Sequence, residues 1–173
     1  NDKIQGNIKE GKRSGLWQFY HKNGKLRAKG KYKDGKYHGH WEWYFSDGKL
    51  ESKGPFKDGK YEGYWVNHYK NNQLQWEGVY AKGKRVGPWV WFYPNGNVIE
   101  KSTYMYEQPG VRVGQFIKYH KNGQLMEIGE YKYGRREGAW VFYEEDGTKR
   151  FYQSQYGDDQ GSGFYQNGIK ISE

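Results

Sequence analysis

The chain has 173 residues, with 18 Tyr, 8 Trp, 8 Phe, 26 Gly and no Cys, and its formal net charge is +9. The absence of cysteine excludes disulfides, thiol catalysis and cysteine-ligated zinc, whereas the many large rings can form a core. No apolar run approaches the roughly 18 residues of a membrane-spanning helix. Because the first residue is Asn1 rather than Met, we expect a processed chain that is exported or envelope-associated, with a cytoplasmic location as the alternative.

A 24-residue repeat organises the chain. Glycine recurs at this spacing, and the series continues with a serine and, after a three-residue insertion, another glycine, at Gly6, Gly30, Gly54, Gly78, Ser102 and Gly129. A Gly-x-Trp motif and an Asn-Gly or Asp-Gly pair recur in the same frame, and such pairs supply the φ > 0 residues of tight hairpin turns. The pattern predicts an all-β fold, an elongated antiparallel single-layer meander of stacked β-hairpins. We expect a single repeat domain over 1–173 with about seven units, regular at about 4–152 and degenerate in a C-terminal cap at 153–173.

The second copy illustrates the predicted strands. Leu26–Lys33 alternates between an apolar face, which includes Ala28, Gly30 and Tyr32, and a basic face, which consists of Arg27, Lys29, Lys31 and Lys33. This period of two predicts a half-buried strand, and the central glycine predicts that a neighbouring ring lies over the backbone. A turn is expected from Asp34-Gly35 to about Gly39, followed by a strand over His40–Phe45. The orientation of the individual rings in that strand is left open.

Residues 30–44, followed by Asp47-Gly48-Lys49-Leu50, closely resemble the MORN (membrane occupation and recognition nexus) repeat in its bacterial variant form. The resemblance covers about residues 4–152, and a weaker copy extends toward residue 171. Two copies depart from the pattern, since the third has His68 in place of Tyr and the fifth has Glu107 in place of the turn glycine. The resemblance implies an elongated antiparallel β-structure that is not an enzyme. It also implies a protein or membrane interaction module, and for several bacterial members an antitoxin or immunity protein of a polymorphic toxin.

Patterns typical of catalysis and metal binding are missing from the sequence. No pair of carboxylates is singled out by spacing, and neither a Gly-x-Ser-x-Gly nor a phosphate-loop motif occurs. His38 and His40 could share one strand face, but no further ligand is placed by spacing. His21 and His120 precede Lys-Asn-Gly and are interpreted as solvated turn residues. We therefore expect no catalytic residues, no cofactor, no metal and no small-molecule substrate.

Basic residues are concentrated in the first half of the chain. Residues 1–87 hold 19 Lys and Arg against 9 Asp and Glu, whereas residues 88–173 hold 10 against 11. One interpretation is that these charges keep a polar β-structure soluble and protect its edges. The other is that the electropositive half attracts an acidic partner.

The second interpretation yields a hypothesis for the docking surface. Aromatic and arginine side chains anchor interfaces, whereas peripheral lysines mainly set association rates. The basic residues are expected to steer a protein partner with an acidic surface, while two exposed rings supply contact area. The basic residues are Lys9, Lys12, Arg13, Arg27, Lys29, Lys31 and Lys33, and the two rings are Trp43 and Trp91. An envelope-associated scaffold that binds anionic lipid or polymer is the alternative, and nucleic acid is the least favoured partner. The irregular segment 105–114 is the other candidate surface.

Overall fold

The computed structural model describes residues 3–150 and 162–172, and the chain divides into two compact units, Asn1–Arg85 and Val86–Glu173. No helix occurs in these two described ranges. The strands are β1 (Ile4–Lys9), β2 (Lys12–Tyr20), β3 (Leu26–Lys33), β4 (Lys36–Tyr44), β5 (Leu50–Lys57), β6 (Lys60–Tyr61), β7 (Gly63–His68), β8 (Leu74–Ala81), β9 (Lys84–Phe92), β10 (Val98–Tyr104), β11 (Arg112–Tyr119), β12 (Leu125–Lys132), β13 (Arg135–Phe142), β14 (Gly163–Gln166) and β15 (Ile169–Ser172).

Each unit is an antiparallel meander in which successive strands pair in chain order. In the first unit β1 to β5 pair consecutively, β5 pairs with both β6 and β7, and β7 pairs with β8. In the second unit β9 to β15 pair consecutively. The predicted all-β meander of hairpins is therefore confirmed, and a degenerate last copy is present as the hairpin β14–β15. The predicted junction between the regular copies and this cap lies outside the described residues.

The first turn of the second copy is shorter than the sequence pattern predicts. Asp34 and Gly35 have φ values of 50° and 79°, so they alone form a two-residue hairpin turn between β3 and β4. The prediction that the turn runs to Gly39 is wrong, and the strand predicted at His40–Phe45 starts at Lys36. Gly39 instead lies inside β4 with a φ of 68°, where the register against β3 shifts as in a β-bulge.

This bulge provides a hydrogen-bond partner for the buried indole two residues later. The Lys31 carbonyl lies at the register shift, and Trp41 Nε1 donates a hydrogen bond to it at 2.9 Å. Trp65 and Trp140 make the equivalent bonds to the carbonyls of Pro55 and Glu130. The Gly-x-Trp motif thus combines a positive-φ glycine with a ring that satisfies its polar nitrogen while buried.

In four of the Gly-x-Trp motifs the tryptophan also covers a glycine on a preceding strand. Gly30 and Trp41 are Cα partners, and a Cβ on Gly30 would lie less than 3.0 Å from three atoms of the Trp41 ring. The same relation recurs in both units, at Gly6–Trp17, Gly54–Trp65 and Gly129–Trp140. The prediction that a ring lies over the strand glycine is therefore confirmed.

One copy replaces both members of this pair. Ser102 occupies the glycine position and Phe116 occupies the tryptophan position. Both residues are buried, with 4% and 3% of their surface exposed. The larger strand residue is therefore accompanied by a smaller ring, which is the steric relation expected if the two positions share one volume.

Hydrogen bonds between turns join each copy to the next. In the first unit the turn glycine donates its N–H to a carbonyl of the preceding copy, from Gly35 to Arg13 at 3.0 Å and from Gly59 to Tyr37 at 2.9 Å. At the opposite ends of the strands, Asn23 Nδ2 donates to the Ser46 carbonyl at 2.7 Å. These contacts fix the spacing of consecutive copies at both strand ends.

Candidate functional site

The apolar face of the first unit is covered by rings in mutual contact. Five of them follow one another with centroids 4.7–5.0 Å apart, in the order Tyr32, Tyr37, Phe56, Tyr61 and Tyr80. A second row runs beside this stack and alternates large with small residues, in the order Phe19, Ala28, Trp43, Ser52 and Asn67. We call this side of the first unit the ring face.

An open cleft interrupts the ring face. Ala28 is the Cα partner of both Phe19 and Trp43, so its small side chain leaves the space between the two rings unfilled. The cleft has a volume of about 360 Å³ and is lined by Arg13, Phe19, His21, Arg27, Ala28, Tyr37, Trp41, Trp43 and Glu51. It therefore offers aromatic surface together with two guanidinium groups and one carboxylate.

The two arginines of the cleft lie against rings. The Arg13 guanidinium is 4.7 Å from the Trp17 ring centroid and 5.5 Å from that of Phe19, and its Nη1 donates to the Tyr32 hydroxyl at 3.1 Å. Burial, the main cause, raises the pKa of Tyr32 to about 12. Arg13 is thus held in place by cation–π contacts and one hydrogen bond.

Arg27 belongs to the ring face rather than to the basic face of its strand. Its guanidinium is 5.9 Å from the Phe19 ring centroid, and the register of β2 against β3 shifts between Phe19 and Tyr20. A register shift places an extra residue in one strand and disturbs the alternation of side chains. The prediction that Arg27 shares one face with Lys29, Lys31 and Lys33 is therefore wrong. The sequence pattern contains no sign of the bulge that moves Arg27 to the other face.

Lys29 lies on the opposite side of the sheet in an ion pair. Its Nζ is 2.7 Å from Glu42 Oε2, and the Tyr44 hydroxyl donates to the same carboxylate. The bond to Lys29 is the main cause that lowers the pKa of Glu42, and the same bond raises the pKa of Lys29. The charge of Lys29 is thus partly neutralised, whereas the side chain of its neighbour Lys31 is exposed to solvent.

Three more of the expected docking lysines lie at hairpin turns. Lys9 and Lys12 are Cα partners beside the first turn, and Lys33 pairs in the same way with Lys36. All four are exposed. The basic residues of the expected docking set are therefore divided among the cleft, the opposite face and the turn edge of the first unit.

The two tryptophans of the docking hypothesis are half-buried rather than exposed. Trp43 stacks on Trp41 with centroids 5.5 Å apart, and it lies 5.7 Å from Trp65. In the second unit, Trp91 stacks on Trp89 at 5.3 Å. Of the two tryptophans in the docking hypothesis, Trp43 lines the cleft described above and Trp91 does not.

Sequence reasoning missed several residues of the cleft. Phe19, Tyr37 and Glu51 were not singled out, although the small Ala28 between two ring-bearing strands was a visible signal. The interpretation of His21 and His120 as solvated turn residues is wrong. Their Nε2 atoms are hydrogen-bonded to the carbonyls of Tyr44 at 2.8 Å and Tyr143 at 2.9 Å, in the following copies, and His120 is buried.

The segment between β10 and β11 is an irregular loop in the second unit. Met105 N donates to the Val111 carbonyl at 2.9 Å, which closes the loop at its base. Tyr106 within it is 63% exposed. The loop therefore presents one large ring to solvent.

The described residues contain neither a metal-binding cluster nor a membrane-spanning helix. In ranges 3–150 and 162–172, no three or more His, Asp or Glu side chains are grouped so that they could hold a metal ion. In the same ranges no helix has the length and apolar character needed to span a membrane.

Comparisons with known proteins identify the repeat. The crystal structure of a GtfA/B complex bound to UDP and GlcNAc matches with 13% identity and a TM-score of 0.23, over 88% of this chain and 24% of that chain. No curated protein matches the chain at a significant level. The model of the MORN repeat variant matches residues 13–34, 37–58, 85–105 and 112–133. These matches include half of the chain and most of the ring-bearing hairpins described above, so the chain belongs to the MORN repeat variant family.

Proposed function

We propose that this chain is a non-enzymatic binding module that docks another protein at the cleft in the ring face of its first unit. The observation that supports this proposal is the cleft above Ala28, where the Phe19 and Trp43 rings flank an unfilled space of about 360 Å³. Aromatic and arginine side chains are the usual energetic anchors of protein interfaces. A partner side chain that enters this space would be enclosed by both kinds of group.

The partner is expected to present an acidic surface around the group that enters the cleft. All of the net positive charge of the chain belongs to residues 1–87, in which Lys and Arg outnumber Asp and Glu by 19 to 9. Such an imbalance accelerates association with an oppositely charged partner. Arg13 and Arg27 supply two of these charges at the cleft itself.

The finer proposal is an antitoxin or immunity protein for a polymorphic toxin. It is supported by the family resemblance, and it requires a toxin whose contact surface is acidic. An envelope scaffold that binds anionic lipid or polymer is the competing function, and the same positive charge supports it. The protein-binding function requires the aromatic cleft, whereas the envelope scaffold does not.

A cleft-filling variant tests the proposal with a control from the next copy. Ala28→Leu places a larger side chain between Phe19 and Trp43. Ser52→Leu makes the same change at the equivalent position 24 residues later, between Trp43 and Asn67. Wild-type and variant proteins, checked by circular dichroism, are used as baits in extracts of the native host, and captured proteins are compared by mass spectrometry.

We expect a defined protein that is captured by the parent and by Ser52→Leu but not by Ala28→Leu. Because Ala28→Leu could disturb packing, Arg27→Ala is used as a second variant that removes a cleft side chain from an exposed position. Loss of the same captured protein with both cleft variants supports the proposal. Equal capture by all four baits, or binding of anionic vesicles that the cleft variants leave unchanged, contradicts it.

A further inference from the structure

Three hairpin turns at one end of the strands of the first unit are each flanked by two lysines that are Cα partners across the two paired strands. The pairs are Lys9–Lys12, Lys33–Lys36 and Lys57–Lys60. We call these six residues the lysine ladder. Its members lie at one end of the strands, because all three turns connect strands at the same end of the meander.

The lysine ladder is electrostatically unfavourable for the folded chain by itself. Like charges directly opposite each other in a sheet are destabilising, and this arrangement occurs at the same place in three copies. All six lysines are exposed. Among the ion pairs of the described residues, none includes a member of the ladder. The turn residues Glu10, Asp34 and Asp58 therefore do not neutralise the flanking lysines through direct ion pairs.

The spacing of the pairs is fixed by contacts between copies. A Cβ on Gly35 would lie 3.7 Å from Lys12 Cβ, and one on Gly59 would lie 3.7 Å from Lys36 Cβ. Each turn thus rests on the aliphatic stem of the preceding lysine, while the turn glycine donates a backbone hydrogen bond to the preceding copy. Consecutive pairs are two strands apart, which corresponds to about 9.6 Å in an antiparallel sheet.

This spacing selects among linear anionic ligands. A polyproline II segment has three residues per turn and rises about 3.1 Å per residue, so every third side chain recurs on one face at about 9.3 Å. Phosphates of a duplex strand recur at about 3.4 Å along its axis, so every third phosphate recurs at about 10 Å, but the helical twist carries these phosphates around the axis rather than along one face. An extended acidic polypeptide therefore matches the spacing better than nucleic acid does.

We propose that the lysine ladder binds an acidic polypeptide segment in the polyproline II conformation, with a carboxylate at every third residue. The inference rests on the proposed protein-binding function and specifies a second contact, separate from the cleft. Each carboxylate would lie between the two ammonium groups of one pair and relieve the repulsion within it.

Two fluorescently labelled synthetic peptides of equal composition and charge test the spacing. The spaced peptide consists of four consecutive Glu-Pro-Pro triplets, and the contiguous peptide has the same four glutamates in a row, followed by all eight prolines. Binding to the full chain is measured by fluorescence anisotropy at low and at physiological salt. We expect the spaced peptide to bind about tenfold more tightly than the contiguous one, and both affinities to fall as salt increases.

Charge-neutralising variants test the location. Lys9→Gln, Lys33→Gln and Lys57→Gln are combined in one protein, and Lys22→Gln, Lys53→Gln and Lys70→Gln are combined in a control that loses the same charge at exposed positions elsewhere in the first unit. The ladder variant should lose about tenfold in affinity for the spaced peptide, if each removed ion pair contributes the usual surface value. The control should lose no more than about twofold. Since the ladder variant relieves like-charge contacts, its thermal midpoint should not fall below that of the parent.

The proposal is overturned if the two peptides bind equally, if the control triple variant loses as much affinity as the ladder variant, or if a short single-stranded DNA or an anionic vesicle binds while neither peptide does. These results are independent of the cleft experiment. A partner that is captured through the cleft while the ladder variants bind it normally would leave the proposed function intact and refute only the ladder.

Discussion

Substitution of Gly54 by serine is expected to destabilise the fold because the Trp65 ring occupies the place of its side chain. A Cβ at Gly54 would lie less than 3.0 Å from three atoms of that ring. The ring is 1% exposed and is held by the bond of its Nε1 to the Pro55 carbonyl at 2.9 Å. It therefore cannot move aside without losing packing and this hydrogen bond.

The expected magnitude combines three contributions. Overpacking of a close-packed core costs about 1–3 kcal/mol, and loss of the indole hydrogen bond costs about 1 kcal/mol. Replacement of a strand glycine by a residue with a side chain offsets about 0.5–1 kcal/mol. Gly54→Ser should therefore lower the free energy of unfolding by about 1–3.5 kcal/mol.

A second substitution should partly restore the stability. The Ser102–Phe116 copy indicates that a smaller ring accommodates the serine, so Trp65→Phe in the Gly54→Ser background should recover at least about 1 kcal/mol of coupling energy. Urea denaturation followed by far-ultraviolet circular dichroism measures all four proteins of this double-mutant cycle. The reasoning is refuted if Gly54→Ser is as stable as the parent, or if the effects of the two substitutions are simply additive.

Three further predictions follow from the same structure. In urea denaturation, Trp65→Ala should lower the free energy of unfolding by roughly 3–5 kcal/mol, because it is a large-to-small change in the core. Lys22→Ala, in an exposed turn, should lower it by under about 0.5 kcal/mol. Equal midpoints for both variants and the parent would show that the Trp65 ring is not part of the core. Because the pKa of Glu42 is lowered, its contribution to stability is present above the unfolded pKa and is lost as pH falls through the folded pKa. In an acid titration, Lys29→Met should therefore lose less stability below about pH 4.5 than the parent loses. If the two proteins lose stability equally at acid pH, the result argues against the ion pair. Lys31→Glu should slow association with a partner that binds the cleft and should weaken the salt dependence of the association rate, with a smaller effect on dissociation. Surface-based binding kinetics at two salt concentrations measure both rates. An unchanged association rate at low salt would indicate that Lys31 is only a solvated residue.

The repeat spacing was sufficient to predict the hairpin repeat, an aromatic core and a ring over the strand glycine, although it placed the start of β4 at His40 rather than at Lys36. Alternation in Leu26–Lys33 places Ala28, Gly30 and Tyr32 on the buried side, as observed. These features depend on residue size and on a period of two, both of which are local properties of the sequence. The family could be recognised for the same reason, because its motif consists of turn glycines and rings at fixed offsets.

The position of Arg27 and the role of His21 could not be predicted from local pattern. Arg27 turns toward the Phe19 ring because the register of β2 against β3 shifts beside it. His21 binds a carbonyl that lies 23 residues later in the chain. Both depend on contacts between copies, which the alternation within one strand does not contain.

The sequence by itself determined the hairpin repeat, a core built from aromatic rings and the excess of positive charge in residues 1–87. Only the tertiary structure decided where that charge lies, because pairing in register brings Lys29 to Glu42 and sets Lys9 opposite Lys12. It also decided that Phe19 and Trp43 flank one small residue and leave a cleft between them. The physical reason is that side chains on different strands meet through register and bulges, and these are set by hydrogen bonds between distant parts of the chain.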